Sequence, residues 1–140
     1  MKALVTGAAG QLGLAITRIL GQDFEVVALR RAELDITDSA AVLQVTRRVR
    51  PDVIFNCAAY NDVDGAEGDP VTAMAVNGFA VRALATAARE SAAVLVHYGT
   101  DFVFDGEAEQ PYDELAVPAP KGVYGTSKLL GEWFARGAAR

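Results

Sequence analysis

Two hydrophobic rhythms alternate along the chain. Short apolar runs at Ala3-Leu4-Val5, Val26-Val27-Ala28-Leu29, Val53-Ile54-Phe55 and Val94-Leu95-Val96 are each followed by a longer segment of mixed polarity. In those longer segments apolar residues recur at helical spacing, so the runs read as strands and the segments between them as helices. The first helix carries Leu12, Ala15, Ile16, Ile19 and Leu20. The second carries Val42, Val45 and Val49 and is stopped by Pro51. A long third helix opens near Asp69-Pro70, where proline suits the first turn, and turns Met74, Val81, Leu84 and Ala88 inward. The last runs from about Tyr124 to Arg136, with Leu129, Leu130, Trp133 and Phe134 as its buried stripe.

Strand and helix in strict alternation predict the α/β class, as a Rossmann-type doubly wound parallel sheet with right-handed crossovers. Because the strands are apolar throughout, both faces of the sheet are expected to be covered. The usual order would place the strands as 3-2-1-4, with a ligand beyond their carboxyl ends near strands 1 and 4. Residues 100–122 break the rhythm. They are rich in Pro, Gly and acidic residues and exceed the ~12 to 15 residues beyond which structureless loops are unusual. That length predicts a functional loop, anchored by Phe102, Val103, Phe104 and Tyr112.

With 140 residues, 51% of them hydrophobic, the chain suits a single domain over 1–140. Its net charge is -5, and the only basic cluster, Arg47, Arg48 and Arg50, reads as a solvated helix face. Nucleic acid is therefore not an expected partner. The single cysteine, Cys57, excludes an internal disulfide and fits a reducing compartment. The apolar start Met1–Val5 is too short for a signal peptide, and no run approaches the ~20 apolar residues of a membrane span. The expectation is a cytoplasmic protein with no membrane partner.

The candidate chemistry gathers at the strand ends. Gly7-Ala8-Ala9-Gly10-Gln11-Leu12-Gly13 joins the first strand to the first helix. Its glycines allow a tight turn, a close approach of backbone N–H groups to a pyrophosphate, and close packing of helix on strand. The spacing is G-x-x-G-x-x-G rather than the commoner G-x-G-x-x-G. After the second strand stands Leu29-Arg30-Arg31, where an acidic residue would hold an adenosine ribose and an arginine would pair a 2'-phosphate. This favours NADPH and leaves NADH open. Asp35 is a candidate for the adenine, while Asp38 reads as a helix cap. After the third strand, the small residues of Asn56-Cys57-Ala58-Ala59-Tyr60 would let backbone lie against a nucleotide. Cys57 has no adjacent His or Cys, so neither a metal nor a nucleophile is expected there. Asp62, Asp64 and Glu67 read as helix-start or solvated residues, and His97 as a satisfied, partly buried imidazole.

Thr100, at the end of the fourth strand, offers a hydroxyl to a substrate carbonyl without titrating. Tyr124 and Lys128 stand four residues apart, on one face of the last helix. An ammonium beside a phenol favours the ionised phenol, which makes the pair a candidate proton donor with its adjuster. An amphipathic surface contact is the commoner use of such a pair.

The segments GAAGQLG, LDITD, RPDVIFNCAAYNDVDGAE, VHYGTDFVFDG and VYGTSKLLGE together resemble the extended short-chain dehydrogenase/reductase family, and within it the dTDP-4-dehydrorhamnose reductase branch. The likeness runs in order over essentially the whole chain. It implies an NAD(P)H-dependent oxidoreductase acting on the 4-keto group of a nucleotide sugar, with Tyr124, Lys128 and Thr100 as its catalytic set. By position it implies cofactor contacts at Gly7, Gly10, Gln11, Leu12, Gly13, Asp35, Ile36, Ala58, Ala59, Tyr60, Tyr98, Tyr124 and Lys128, alongside Arg30, and substrate contacts at Thr100 and Asp101. Gly99, Phe102, Asn61 and Gly122 depart from the common pattern of Ser, Tyr, Thr and Asn. Family members continue for about as long again, so the resemblance implies their cofactor-binding half alone, a doubly wound sheet truncated before the later strands and the substrate lobe. Its fourth strand would then form an edge, and Trp133 and Phe134 would lack support, which predicts self-association or low stability. The family also includes a non-catalytic regulatory subunit of methionine adenosyltransferase, and nucleotide-sugar epimerases and dehydratases, as alternative readings.

Overall fold

The apolar runs form four strands, β1 (Lys2–Thr6), β2 (Glu25–Leu29), β3 (Val53–Asn56) and β4 (Val94–His97), in a computed structural model that describes residues 1–138. All pair in parallel, in the order β2-β1-β3-β4. The helices are α1 (Gln11–Leu20), α2 (Ser39–Val49), α3 (Val63–Gly68), α4 (Pro70–Met74), α5 (Ala80–Glu90) and α6 (Val123–Ala138). A π-helical turn, Ala75–Phe79, joins α4 to α5, and a single 3-10 turn spans Asp101–Val103.

The expected 3-2-1-4 order does not form. A further βα unit needs on the order of 30 residues, and residues 30–38, between β2 and α2, hold only turns and bends. α2 therefore carries the chain straight back across β1, and β3 pairs with β1, Thr6 opposite Asn56. The winding reverses at β1, so the crevice opens beyond the carboxyl ends of β1 and β3 and extends to Tyr98 and Gly99 at the end of β4.

Right-handed crossovers put α1 on one face of the sheet and α2, α5 and α6 on the other. α5 packs against both α2 and α6, and Leu4, Val42, Ile54 and Leu84 are fully buried among them. Each such side chain contributes about 1.5 to 3 kcal/mol on burial. The other face departs from expectation, because only α1 lies on it, over β1 and β2. Leu14, Ile19 and Val94 are 59%, 57% and 62% exposed. Trp133, expected in the buried stripe of α6, is instead 58% exposed, whereas Leu129 one turn earlier is buried. Phe134 is half-buried against Phe79, at 6.0 Å between ring centroids, with the Arg82 guanidinium 5.7 Å over its ring.

Local chemistry sets the helix starts. The Asp38 carboxylate accepts from the Ala41 N–H to cap α2, and Asp69 accepts from Thr72 with Pro70 as the first residue of α4. Asp62 accepts from Gly65 and starts α3, a short helix that no apolar period announces. Pro70–Glu90 is continuous over 21 residues and, by length and composition, long and apolar enough to cross a membrane. A core helix passes the same measure, and this one carries Asn77, Arg82, Arg89 and Glu90 among its apolar residues. Half of its most apolar window is buried within the fold. In the 100–122 segment Val103 is buried, Ala119 donates to its carbonyl, and Phe104 stacks on Tyr112 at 4.3 Å.

Candidate functional site

The glycine turn lies at the floor of the crevice. Gly7 has φ +64°, and a Cβ there would stand 2.5 Å from the backbone nitrogen of Ala58, so the β3 loop and the turn can touch only through glycine. At Gly13 a Cβ would lie 2.3 Å from the Gly7 carbonyl oxygen. Gly13 thus presses α1 onto the turn and does not itself line the crevice. Gly10 occupies the cap position of α1 with extended backbone and no side-chain cap. The N–H groups of the first turn remain free of described side chains, with the positive end of the helix behind them. A diphosphate fits that arrangement.

Two adjoining hollows make up the crevice, and they share Gly10, Cys57, Ala58, Ala59 and Asn61. The first, about 340 Å³, is bounded by Gly7, Arg31, Leu34, Asp35, Ile36 and Tyr60 among others. Asp35 accepts from the Thr37 hydroxyl at 2.7 Å and the Thr37 N–H at 3.0 Å, and these bonds hold its carboxyl below the usual range. Arg31, not Arg30, reaches this hollow, its Nε 3.8 Å from Asp35 Oδ2. Arg30 is exposed outside it, with its backbone N–H held by Glu33.

The second hollow, about 360 Å³, is walled by Gln11, Leu12, Tyr98, Gly99, Tyr124 and Lys128. The dyad predicted from spacing thus faces the same crevice as the glycine turn. Both residues are buried, and Lys128 Nζ donates to the Tyr98 carbonyl at 2.7 Å. Burial pushes the Lys128 pKa down, and the Glu132 carboxylate, one turn on, lifts it. Burial, with Cys57 beside it, raises the Tyr98 phenol, and burial raises the Cys57 thiol. Phe102 meets the Tyr124 ring edge-on at 5.6 Å.

Thr100 and Asp101 stand apart from both hollows. The Thr100 hydroxyl accepts from the Phe102 N–H at 3.3 Å and donates to the Asp101 carboxylate at 3.2 Å, capping the 3-10 turn. Asp101 lines a separate shallow depression with Phe104, Asp105 and Lys121. A Cβ on Gly99 would meet Glu132 Oε1 at 2.5 Å, the movable end of a flexible side chain.

Three supports of the dyad escaped the sequence reading. Asn77, buried in the π-helical turn, accepts from the Tyr60 N–H at 2.9 Å and donates to the Tyr60 carbonyl at 2.9 Å and to Ser127 Oγ at 3.0 Å. Ser127, fully buried, donates in turn to the Tyr124 carbonyl at 2.7 Å. Glu67 accepts from the Val123 N–H at 2.7 Å and so caps α6. Asn77 left one signal: an amide inside an apolar helix, where burial demands partners.

A family model described as the RmlD substrate binding domain matches residues 1–139. A dTDP-4-dehydrorhamnose reductase of Burkholderia thailandensis is 46% identical over 132 residues, 94% of this chain and 44% of the relative. A probable low-salt glycan biosynthesis reductase of Haloferax volcanii is 42% identical, over 97% of this chain and 49% of its own. Among solved structures, the Bacillus anthracis dTDP-4-dehydrorhamnose reductase in complex with NADP superposes with a TM-score of 0.95 at 38% identity, covering 98% of this chain and 49% of that one. The Thermus thermophilus UDP-glucose 4-epimerase complex with NAD gives 0.88 at 26% identity, covering 98% and 50%. The chain spans about half the length of these relatives. It belongs to the RmlD family of extended short-chain dehydrogenases/reductases, whose dTDP-4-dehydrorhamnose reductases it resembles over nearly all of its own length.

Proposed function

We propose that this chain is the cofactor-binding and proton-transferring half of an NADPH-dependent reductase that acts on the 4-keto group of a dTDP-4-dehydro-6-deoxy sugar, converting dTDP-4-dehydrorhamnose to dTDP-rhamnose. One observation carries the reading: Tyr124 and Lys128 open into a crevice continuous with a glycine turn that has room only for backbone. The residues fit a dinucleotide, with its diphosphate on the Gly10–Leu12 N–H groups, its adenosine against Asp35 and Ile36, and a 2'-phosphate within reach of Arg31. NADH fits the same frame without the last contact. The reduced nicotinamide, when bound, supplies the hydride that the carbonyl carbon receives. The Tyr124 hydroxyl gives the proton to the carbonyl oxygen, which completes a hydroxyl group. Lys128, on the same helix face, stabilises the charge left on the phenolic oxygen. Thr100 orients the carbonyl once its hydroxyl turns from Asp101 toward substrate, and Asp101 faces the sugar nucleotide.

The expected result is NADPH binding by the 140-residue chain with little turnover, and turnover of dTDP-4-dehydrorhamnose in a protein of the relatives' full length that collapses in Tyr124→Phe. Full activity in that variant would overturn the reading. The uncovered α1 face, the β4 edge and exposed Trp133 support self-association of the 140-residue chain. Light scattering should show particle mass rising with concentration, and a monomer at high concentration would refute it.

A further inference from the structure

Sheet register sets Thr6, Asn56 and His97 side by side at the carboxyl ends of β1, β3 and β4. Their side chains form one chain of contacts. Thr6 Oγ1 donates to Asn56 Oδ1 at 2.7 Å, and Asn56 Nδ2 lies 3.2 Å from His97 Nδ1. Asn56 Oδ1 also accepts from the Ala58 N–H at 3.3 Å, so two donors hold the oxygen end and the amide NH₂ must face the imidazole. Nδ1 is therefore an acceptor, and the ring is neutral with its proton on Nε2. That Nε2 is buried without a partner among the described residues. It lies against α6 at Gly131, where a Cβ would be 3.2 Å away. Lys128 stands one turn earlier on α6, and its ammonium sits on the carbonyl of Tyr98, the residue after His97.

We propose that His97 is a positioning residue for Lys128: the neutral imidazole, locked by Asn56, fixes the end of β4 and with it the Tyr98 carbonyl that seats the ammonium. The role matters to function through the reading of Lys128 as a cofactor-contacting group. A proton on Nδ1 would set donor against donor at Asn56 and place a second cation near Lys128. Burial and the Lys128 charge accordingly hold the His97 pKa at about 4. Of the other titratable groups nearby, Glu132 of α6 acts on Lys128, and Cys57 of the β3 loop acts on Tyr98.

Nitrogen-15 NMR of the imidazole at pH 7 should show an acceptor Nδ1 and a protonated Nε2. The opposite tautomer, or an imidazolium, would overturn the proposal. The Lys128 Nζ resonance should move in His97→Leu, which removes the acceptor for Asn56, and stay in His97→Gln, which keeps one. NADPH affinity should fall at least tenfold in His97→Leu, recover to within about threefold in His97→Gln, and change less than twofold when His97→Leu is added to Lys128→Met. Equal losses in both backgrounds would make His97 a general support and defeat the proposal. A chain that gives the expected resonances but binds no NADPH would defeat the cofactor reading alone.

Discussion

Lys128 Nζ donates to the Tyr98 carbonyl across 2.7 Å, so a cation on α6 is held by backbone at the end of β4. This ties helix to sheet at the mouth of the crevice, and it does so with a group whose charge burial disfavours.

Lys128→Met should therefore separate function from stability. NADPH affinity is expected to fall tenfold or more, while the unfolding free energy stays within about 1 kcal/mol of the parent or rises, because an apolar side chain of similar length removes a desolvated charge. Calorimetric titration and urea unfolding on the same samples check both halves.

Asn77→Ala should do the reverse. It leaves the N–H and carbonyl of Tyr60 and the hydroxyl of Ser127 without their partner. The expected loss is about 2 to 4 kcal/mol in urea unfolding. Asn77→Asp keeps the acceptor, loses both donated bonds and buries a carboxylate, so at pH 7 it should be no better than alanine.

Arg31 and Arg30 should behave differently. Arg31→Ala is expected to weaken NADPH binding by about 5- to 30-fold and leave NADH unchanged, since a charge-assisted bond to phosphate is worth about 1 to 2 kcal/mol at an exposed site. Arg30→Ala should alter neither. Competitive titration with both cofactors at low and high salt distinguishes them.

His97 should give the fold an acid limb. Its imidazole sits at about 4 in the fold against an ordinary 6.5. Between those values the unfolded chain binds a proton that the folded chain refuses, so stability rises with pH across the window and is lost as pH falls from 6.5 toward 4. Thermal melts in pH steps should show this slope and its disappearance in His97→Gln. Asp35 acts below that window: its carboxyl lies under 3.8 in the fold, so its contribution is lost only as pH falls further.

The elements were legible where one residue pattern had one physical use. Apolar runs gave the strands, Asp38 and Asp69-Pro70 gave helix starts, and the four-residue spacing of Tyr124 and Lys128 gave a shared face that the structure turns into the crevice. Strand order was misread because it depends on what residues 30–38 lack the length to form. Arg30 and Arg31 are equivalent as letters, and only the bend after β2 decides which reaches the hollow. Trp133 follows the apolar period of α6 correctly, but a period cannot say whether anything lies opposite. Asn77 was hidden because a plain 3.6-residue count through Met74 and Val81 passes over the turn that aims it.

That turn, Ala75–Phe79, amounts to a permanent offset in phase within one rod. An extra residue in a helical turn rotates everything beyond it by about 100°. The stretch before it packs on α6, the stretch after it keeps to α6 while adding α2 and the sheet, and Asn77 is the tooth at the step. Shortening the turn by one residue would leave a smoother helix, yet it would slip one set of contacts against the other along its whole length, so the irregularity is what lets a single helix serve two surfaces.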